Sequence, residues 1–111
     1  MEAAAGDVVG LNVVWWTERA LDVWLVRFLH VIGSDGALVA QVDREPVMGA
    51  SLSYDWAPWQ MVDDPIALAL PSDLAPGRYT LRVGLYDRDT LERIRLTEGD
   101  EFLVVGEIIV G

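Results

Sequence analysis

Carboxylates are the side chains of this sequence with the greatest potential for chemistry. A glycosidase needs one carboxyl group with a raised pKa beside an ionised partner, and no spacing here sets up such a pair. Asp87 and Asp89 form an Asp-x-Asp that could bind calcium through loop oxygens, but ordinary turn residues are the favoured interpretation. A small hydrolase using Asp63, Asp64 or Asp87 remains a third-ranked hypothesis. The carboxylates cluster at Asp63–Asp64, at Asp87 and Asp89, and at Glu98, Asp100 and Glu101.

Histidine and cysteine chemistry is nearly excluded. The chain has no cysteine, so disulfides, thiolate catalysis and cysteine metal sites are excluded, and with His30 as the one histidine no His-x-His or His-x-x-x-His pattern is possible. A lone histidine in an apolar strand is more often a structural residue of the core or of a sheet face than a catalyst. We therefore expect no enzymatic activity, no cofactor and no metal.

Three aromatic residues, Tyr54, Trp56 and Trp59, lie in one irregular segment that contains proline. Exposed aromatic rings in the loops of a β-sandwich stack on sugars in many carbohydrate-binding modules. Loop tryptophans also fold back to close the open end of a sandwich, and this second interpretation is favoured because large aromatic side chains are usually buried. Carbohydrate binding through these three residues is the alternative function.

Composition limits the possible partners. The chain has 111 residues, a net charge of −10 and 52% hydrophobic residues. Such a length suits a single packed domain, here residues 1–111, and the acidic balance argues against nucleic acid and anionic lipid. No apolar run is long enough to span a membrane, and the opening residues lack the basic and apolar regions of a signal peptide. Whether Met1 is the natural first residue stays open.

Short apolar segments between turn residues predict an all-β chain of about seven strands, arranged as an immunoglobulin-like antiparallel sandwich. Residues 33–36 (GSDG) predict a hairpin turn. Tyr79, after a Pro-Gly turn, is expected to bind a loop carbonyl through its hydroxyl, as in a tyrosine corner. The predicted strands are 8–16, 22–32, 37–46, one from about 61 through 66–71, 78–87, 94–96 and 102–110.

The motifs resemble a β-sandwich module at the C-terminal end of some bacterial multi-spanning membrane proteins, which are similar to mannosyltransferase-type glycosyltransferases that use lipid-linked sugars. The resemblance covers about residues 6–110. Two positions depart from the module's pattern: Pro58-Trp59 and Thr90-Leu91 stand where Pro-Gly and Thr-Gly are usual. The matching residues are Phe28 and His30, Asp35-Gly36, Gln41, Asp43 and Pro46, Trp56, Leu70-Pro71, Pro76-Gly77, Tyr79, Leu81, and Val83 to Asp87.

The resemblance implies an accessory module without transferase activity, because the membrane helices and catalytic carboxylates of the parent proteins are not in this sequence. It also implies a place on the extracytoplasmic side of a membrane, with no direct insertion into the bilayer. For His30 it implies a structural hydrogen bond near the hairpin.

Adjacent tryptophans, Trp15 and Trp16, cannot both enter one core, since side chains alternate between the faces of a strand. If Asn12 faces solvent, Trp15 is buried and Trp16 is outside; the resemblance favours Trp16 inside, which a bulge near Gly10 would allow. The next strand, with Trp24, is also apolar on both faces. This surplus predicts an interaction module, with Trp16 and Trp24 as interface candidates. The expected cover is a second copy, a parent protein or the segment 47–59.

Overall fold

Most of the described chain is β-strand. The computed structural model describes residues 1–46, 56–96 and 100–111. Within these ranges seven strands form two sheets, and no α-helix is found. This confirms the predicted all-β fold class. The strands are β1 (Glu2–Ala3), β2 (Val8–Trp15), β3 (Leu25–Gly33), β4 (Leu38–Arg44), β5 (Val62–Ala69), β6 (Gly77–Asp87) and β7 (Leu103–Val110).

The two sheets are unequal in size. The large sheet has the order β1-β7-β6-β3-β4, and the small sheet contains only β2 and β5. Neighbouring strands are antiparallel except β1 and β7, which are parallel. In the small sheet the pairing runs from Val8 opposite Ala69 to Trp15 opposite Val62 without a bulge. The bulge near Gly10 that would have brought Trp16 inside is therefore not present.

Alternation along the strands builds the core between the sheets. On β6, Tyr79, Leu81, Val83 and Leu85 are buried, as the sequence pattern predicts. On β5 every second residue from Val62 is buried, which gives the same period of two. Each large apolar side chain removed from water contributes about 1.5–3 kcal/mol to folding, so this shared interior holds the two sheets together.

Strand β3, which lies between β6 and β4, is buried on both faces, and the chain itself supplies cover for the second face. Phe28 is 1% exposed. The guanidinium of Arg93 lies 4.9 Å from the centre of its ring, and the ring of Tyr86 stacks at 6.5 Å. A Cβ built on Gly84 would lie 2.3 Å from the Phe28 ring and 2.7 Å from the carbonyl of Glu101. The sequence predicted a second copy, a parent protein or the segment 47–59 as cover, and residues 47–55 of that segment lie outside the described residues. Among the described residues, the cover comes from Arg93 in the segment that follows β6, which was not predicted.

Two elements differ from the sequence-based prediction. The predicted short strand 94–96 is wrong, because Arg93 makes only an isolated bridge with Tyr86. Leu91 has a φ of 64°, and this left-handed residue reverses the chain tightly. Ile94 then donates to the carbonyl of Leu85, and the ladder stops after that bond. The second difference is β1, whose two residues were not predicted as a strand.

Two structural expectations are confirmed. The hydroxyl of Tyr79 donates a hydrogen bond of 2.6 Å to the carbonyl of Ala75, four residues upstream, as the predicted corner requires. The hairpin between β3 and β4 turns through Gly33 and Gly36, and Gly36 takes a φ of 84°, where glycine is favoured.

Candidate functional site

The small sheet turns one almost uncharged face to solvent. We call this the outer face. It consists of alternate residues of β2 and Trp16 just after it, together with the residues of β5 that lie opposite and Met61 just before β5. All ten residues of the outer face are exposed, and Asp63 is the one ionisable side chain among them. The ten are Val8, Gly10, Asn12, Val14 and Trp16, with Met61, Asp63, Pro65, Ala67 and Ala69. On a chain of net charge −10, an apolar surface of this extent is a candidate contact surface.

The two edges of the small sheet differ in hydrogen-bonding capacity. The amide of Leu70 donates to the carbonyl of Asp7 at 2.8 Å, which fixes which residues bond across β2 and β5. Bonded pairs alternate in an antiparallel ladder, so the outer-face residues of β2 direct their N–H and C=O groups away from β5. On β5 the residues that direct their backbone groups away from β2 include Pro65, which lies opposite Asn12 and has no N–H to donate. The β2 edge is therefore the stronger hydrogen-bonding edge.

The outer face ends in an aromatic cluster. Trp15 is 8% exposed and lies in the core, whereas Trp16 is 52% exposed. The amide of Trp59 donates to the carbonyl of Thr17 at 2.7 Å, which holds Trp59 at the same end of the sheet. Trp59 is 64% exposed and Met61 is more exposed still. The prediction from Asn12 that Trp15 is inside is confirmed, and the preference for Trp16 that came from the resemblance is wrong.

Trp59 has an unfavourable backbone conformation. Gln60 donates to the carbonyl of Ala57, so residues 57–60 form a tight turn with Pro58 in its second place. Trp59, in the third place, has a φ of 65°, where a type II turn favours glycine. A residue other than glycine pays about 1–2 kcal/mol there. An exposed tryptophan kept at such a position contributes nothing visible to the core, so its ring is a candidate for binding.

The other aromatic candidates have different surroundings. Trp56 is 3% exposed and belongs to the core, in agreement with the predicted closing role and against a role as a sugar platform. Trp24 is half-buried under the guanidinium of Arg88, which lies 3.8 Å from the centre of its ring. Tyr54 lies outside the described residues, as does Glu98.

A buried ion pair fixes the small sheet to the large one. Asp64 of β5 is fully buried, and its Oδ2 accepts hydrogen bonds from Arg27 Nε of β3 at 3.0 Å and from Trp15 Nε1 of β2 at 3.1 Å. Sequence reasoning missed this cluster, although a single arginine inside an apolar strand is a signal of it. Asp64 is consumed by these bonds, while its neighbour Asp63 is exposed.

The carboxylates that the structure describes do not meet at a cleft. A cavity of about 430 Å³ lies between the sheets beside the Trp15 end of β2. Its described lining is mainly apolar, and Asp63, Asp64 and Asp87 are not part of it. Oδ1 of Asp87 accepts hydrogen bonds from the amides of Asp89 and Thr90, which is a turn-forming role. Among the described residues, no three histidine or carboxylate side chains converge on one point.

His30 lies on the face of the large sheet that points away from the small one. Its ring contacts that of Phe28, with 4.4 Å between centres, and the structural hydrogen bond expected for it is not seen in the described ranges. Burial lowers the pKa of His30, Asp43 opposes this shift, and Arg93 and Arg82 add to it. Tyr86 donates a hydrogen bond of 3.0 Å to Asp43, and burial with this bond raises the pKa of the phenol.

Comparisons with known proteins add no relative: no family model, curated protein or solved structure matches this chain. In the described part of the chain, no helix has the length and apolar character needed to cross a bilayer.

Proposed function

We propose that this chain is a non-catalytic accessory domain that binds a protein partner through the outer face. The partner is the membrane glycosyltransferase-like protein with which the resembled module occurs. The observation that carries the proposal is the composition of the outer face, where only one of ten exposed residues is ionisable. Solvent alone does not explain a face with one ionisable side chain on an acidic domain, whereas a partner surface does.

Backbone conformation supports the resemblance behind this proposal. Trp59 and Leu91 are the two non-glycine residues with positive φ in the described ranges. Both stand where the resembled module has glycine. At both positions the backbone has the left-handed conformation that glycine favours, although the residue is tryptophan or leucine.

A crosslinking experiment tests the outer face. A photoreactive benzophenone side chain replaces Ala67, and in a control it replaces Gln41, an exposed residue of β4 in the large sheet. In cells of the source organism we expect the Ala67 probe alone to form a discrete product in the membrane fraction, and mass spectrometry to identify it as the glycosyltransferase-like protein. Products of equal yield from both probes, or none, would refute the proposal. The genomic reading frame upstream of Met1 gives a second test, since attachment to the parent predicts several membrane spans there.

Two glycine substitutions separate binding from folding. Trp59→Gly and Leu91→Gly each remove the backbone strain of a non-glycine residue in the left-handed region. Glycine also makes the unfolded chain more flexible, which partly offsets this gain. We therefore expect each variant to have an unfolding free energy that is unchanged or raised by up to about 1 kcal/mol. Trp59→Gly should weaken the Ala67 crosslink several-fold, and Leu91→Gly should leave it intact. Equal crosslinking by both variants would remove Trp59 from the contact surface.

Carbohydrate binding is the second candidate function, and the exposed ring of Trp59 favours it. Because Trp56 is buried, the platform would consist of Trp59 and Trp16 rather than the three residues of the loop. Tryptophan fluorescence titrated with a panel of oligosaccharides tests this candidate, with Trp59→Gly as the null variant. A response that persists in Trp59→Gly, or no response to any glycan, counts against it.

A further inference from the structure

We infer that two copies of this chain pair antiparallel through the free edge of β2, with Asn12 of each copy facing Asn12 of the other. The inference deepens the proposed function, on which it rests, because the strand that pairs also forms half of the outer face. Pairing of this kind joins the two small sheets into one four-stranded sheet with a doubled outer face.

Hydrogen bonding supplies the first argument. The even-numbered residues of β2, from Val8 to Val14, direct N–H and C=O groups to the free edge, and Trp16 continues this pattern just beyond the strand; no strand in the described ranges pairs with them. An edge with a full set of unpaired groups is a template for another strand. The β5 edge is a weaker template, since Pro65 interrupts its donors.

The register follows from the sequence of the edge itself. A two-fold axis at Asn12 is the arrangement that pairs all five outward-directed residues. In it Gly10 lies opposite Val14, and Val8 lies opposite Trp16 of the second copy. Small residues thus meet larger ones, and the two exposed side chains at the ends, Val8 at 69% and Trp16 at 52%, cover each other. An axis shifted by one residue to either side loses a pair and leaves one of these two side chains uncovered.

Charge explains why a second copy fits here in spite of its net charge of −10. Residues 8–16 contain no ionisable side chain. The nearest acids, Asp7 and Glu18, would lie opposite Thr17 and Gly6 of the second copy. No acid therefore lies directly opposite an acid along this edge, so the pairing creates no like-charge pair across the two strands.

The size of the contact predicts its strength. One strip of five residues buries less than the roughly 800 Å² per partner that stable dimers bury. We therefore expect a weak dimer, with a dissociation constant of about 10 μM to 1 mM. Sedimentation equilibrium at loading concentrations from about 5 μM to 1 mM covers that range.

Opposite charges at position 12 test the register. Asn12→Asp and Asn12→Lys each place two like charges face to face, and we expect at least a tenfold loss of dimer for each variant alone. An equimolar mixture of the two should recover a heterodimer at least as tight as the original. Asn12 is exposed and lies opposite uncharged Pro65, so both variants should fold. Ala67→Asp, on the same face but on β5, is the matched control and should dimerise normally.

Several outcomes would overturn the inference. These are a chain that is monomeric at about 1 mM, single variants that still dimerise, and a mixture that stays monomeric. A dimer lost in Ala67→Asp but kept in Asn12→Asp would place the contact on the outer face instead of the edge. A monomer whose Ala67 probe still crosslinks to the membrane protein would refute the dimer and leave the proposed function standing.

Discussion

Replacing Asp64 by asparagine should destabilise the fold strongly, although the two side chains have nearly the same shape. Arg27 and Asp64 are 2% and 0% exposed, and the Nε to Oδ2 distance is 3.0 Å. Asparagine can still accept a hydrogen bond from Trp15, but it leaves the guanidinium of Arg27 as an uncompensated charge inside the core. Breaking a buried pair in this way costs about 3–5 kcal/mol. That is a large part of the 5–15 kcal/mol by which domains are usually stable.

The size of the loss can be attributed to the charge by a double-mutant cycle. Arg27→Met alone should also cost about 3–5 kcal/mol, because it removes the positive charge that compensates the buried carboxylate of Asp64. Arg27→Met combined with Asp64→Leu removes both charges; it also takes the acceptor from the indole N–H of Trp15, a cost of about 1–3 kcal/mol. The double variant should therefore be more stable than either single variant.

Urea unfolding followed by tryptophan fluorescence measures all the variants, and Asp63→Asn is the matched control. Asp63 is the exposed neighbour of Asp64, so its change should alter the unfolding free energy by less than about 0.5 kcal/mol. The reasoning fails if Asp64→Asn costs less than about 1 kcal/mol, or if the effects of the two single changes simply add in the double variant.

Three further predictions concern packing and protonation. Tyr79→Phe should lower the unfolding free energy by about 1 kcal/mol, measured by urea denaturation, because one buried hydrogen bond is lost. Gly84→Ala should cost about 1–3 kcal/mol, since its Cβ would overlap the ring of Phe28 and the carbonyl of Glu101, whereas Gly106→Ala, whose Cβ meets nothing nearer than 4.0 Å, should be nearly neutral in the same assay. Because the pKa of His30 is lowered in the folded protein, His30 binds a proton at higher pH in the unfolded chain than in the folded one. The free energy of unfolding should therefore be highest above about pH 6.5 and should decrease as the pH falls through the folded-state pKa of His30. A His30→Gln variant should lose this pH-dependent component in thermal melts recorded across the pH range.

Local patterns predicted the strands well because each is decided by few residues. Asn12 is the one polar residue between Val8 and Trp16, and its preference for water fixed the phase of β2 and the burial of Trp15. The alternation in β6 likewise gave the correct inward face. Such inferences need only the period of a strand and the polarity of a side chain.

Contacts between distant segments were not predictable in the same way. Arg27 and Asp64 are 37 residues apart, and no local pattern states that they meet. The cover of Phe28 by the segment after β6 also depends on how a loop returns across a sheet. For the candidate site, the sequence identified Trp16 and Trp59 as aromatic residues of interest, but their exposure follows from the pairing of β2 with β5 and from the turn at Pro58.

Pro65 has a consequence for how far association can proceed. A two-stranded sheet with two competent edges would add copies at both sides, and strands joined in that way grow into fibres without a fixed end. Here the β5 edge lacks the N–H donor that Pro65 would supply if it were another residue, which leaves the β2 edge for pairing. In the proposed two-fold arrangement the β2 edges of both copies are then occupied after a single step. In the proposed dimer, the placement of this one imino acid would limit association through the small sheet to a pair.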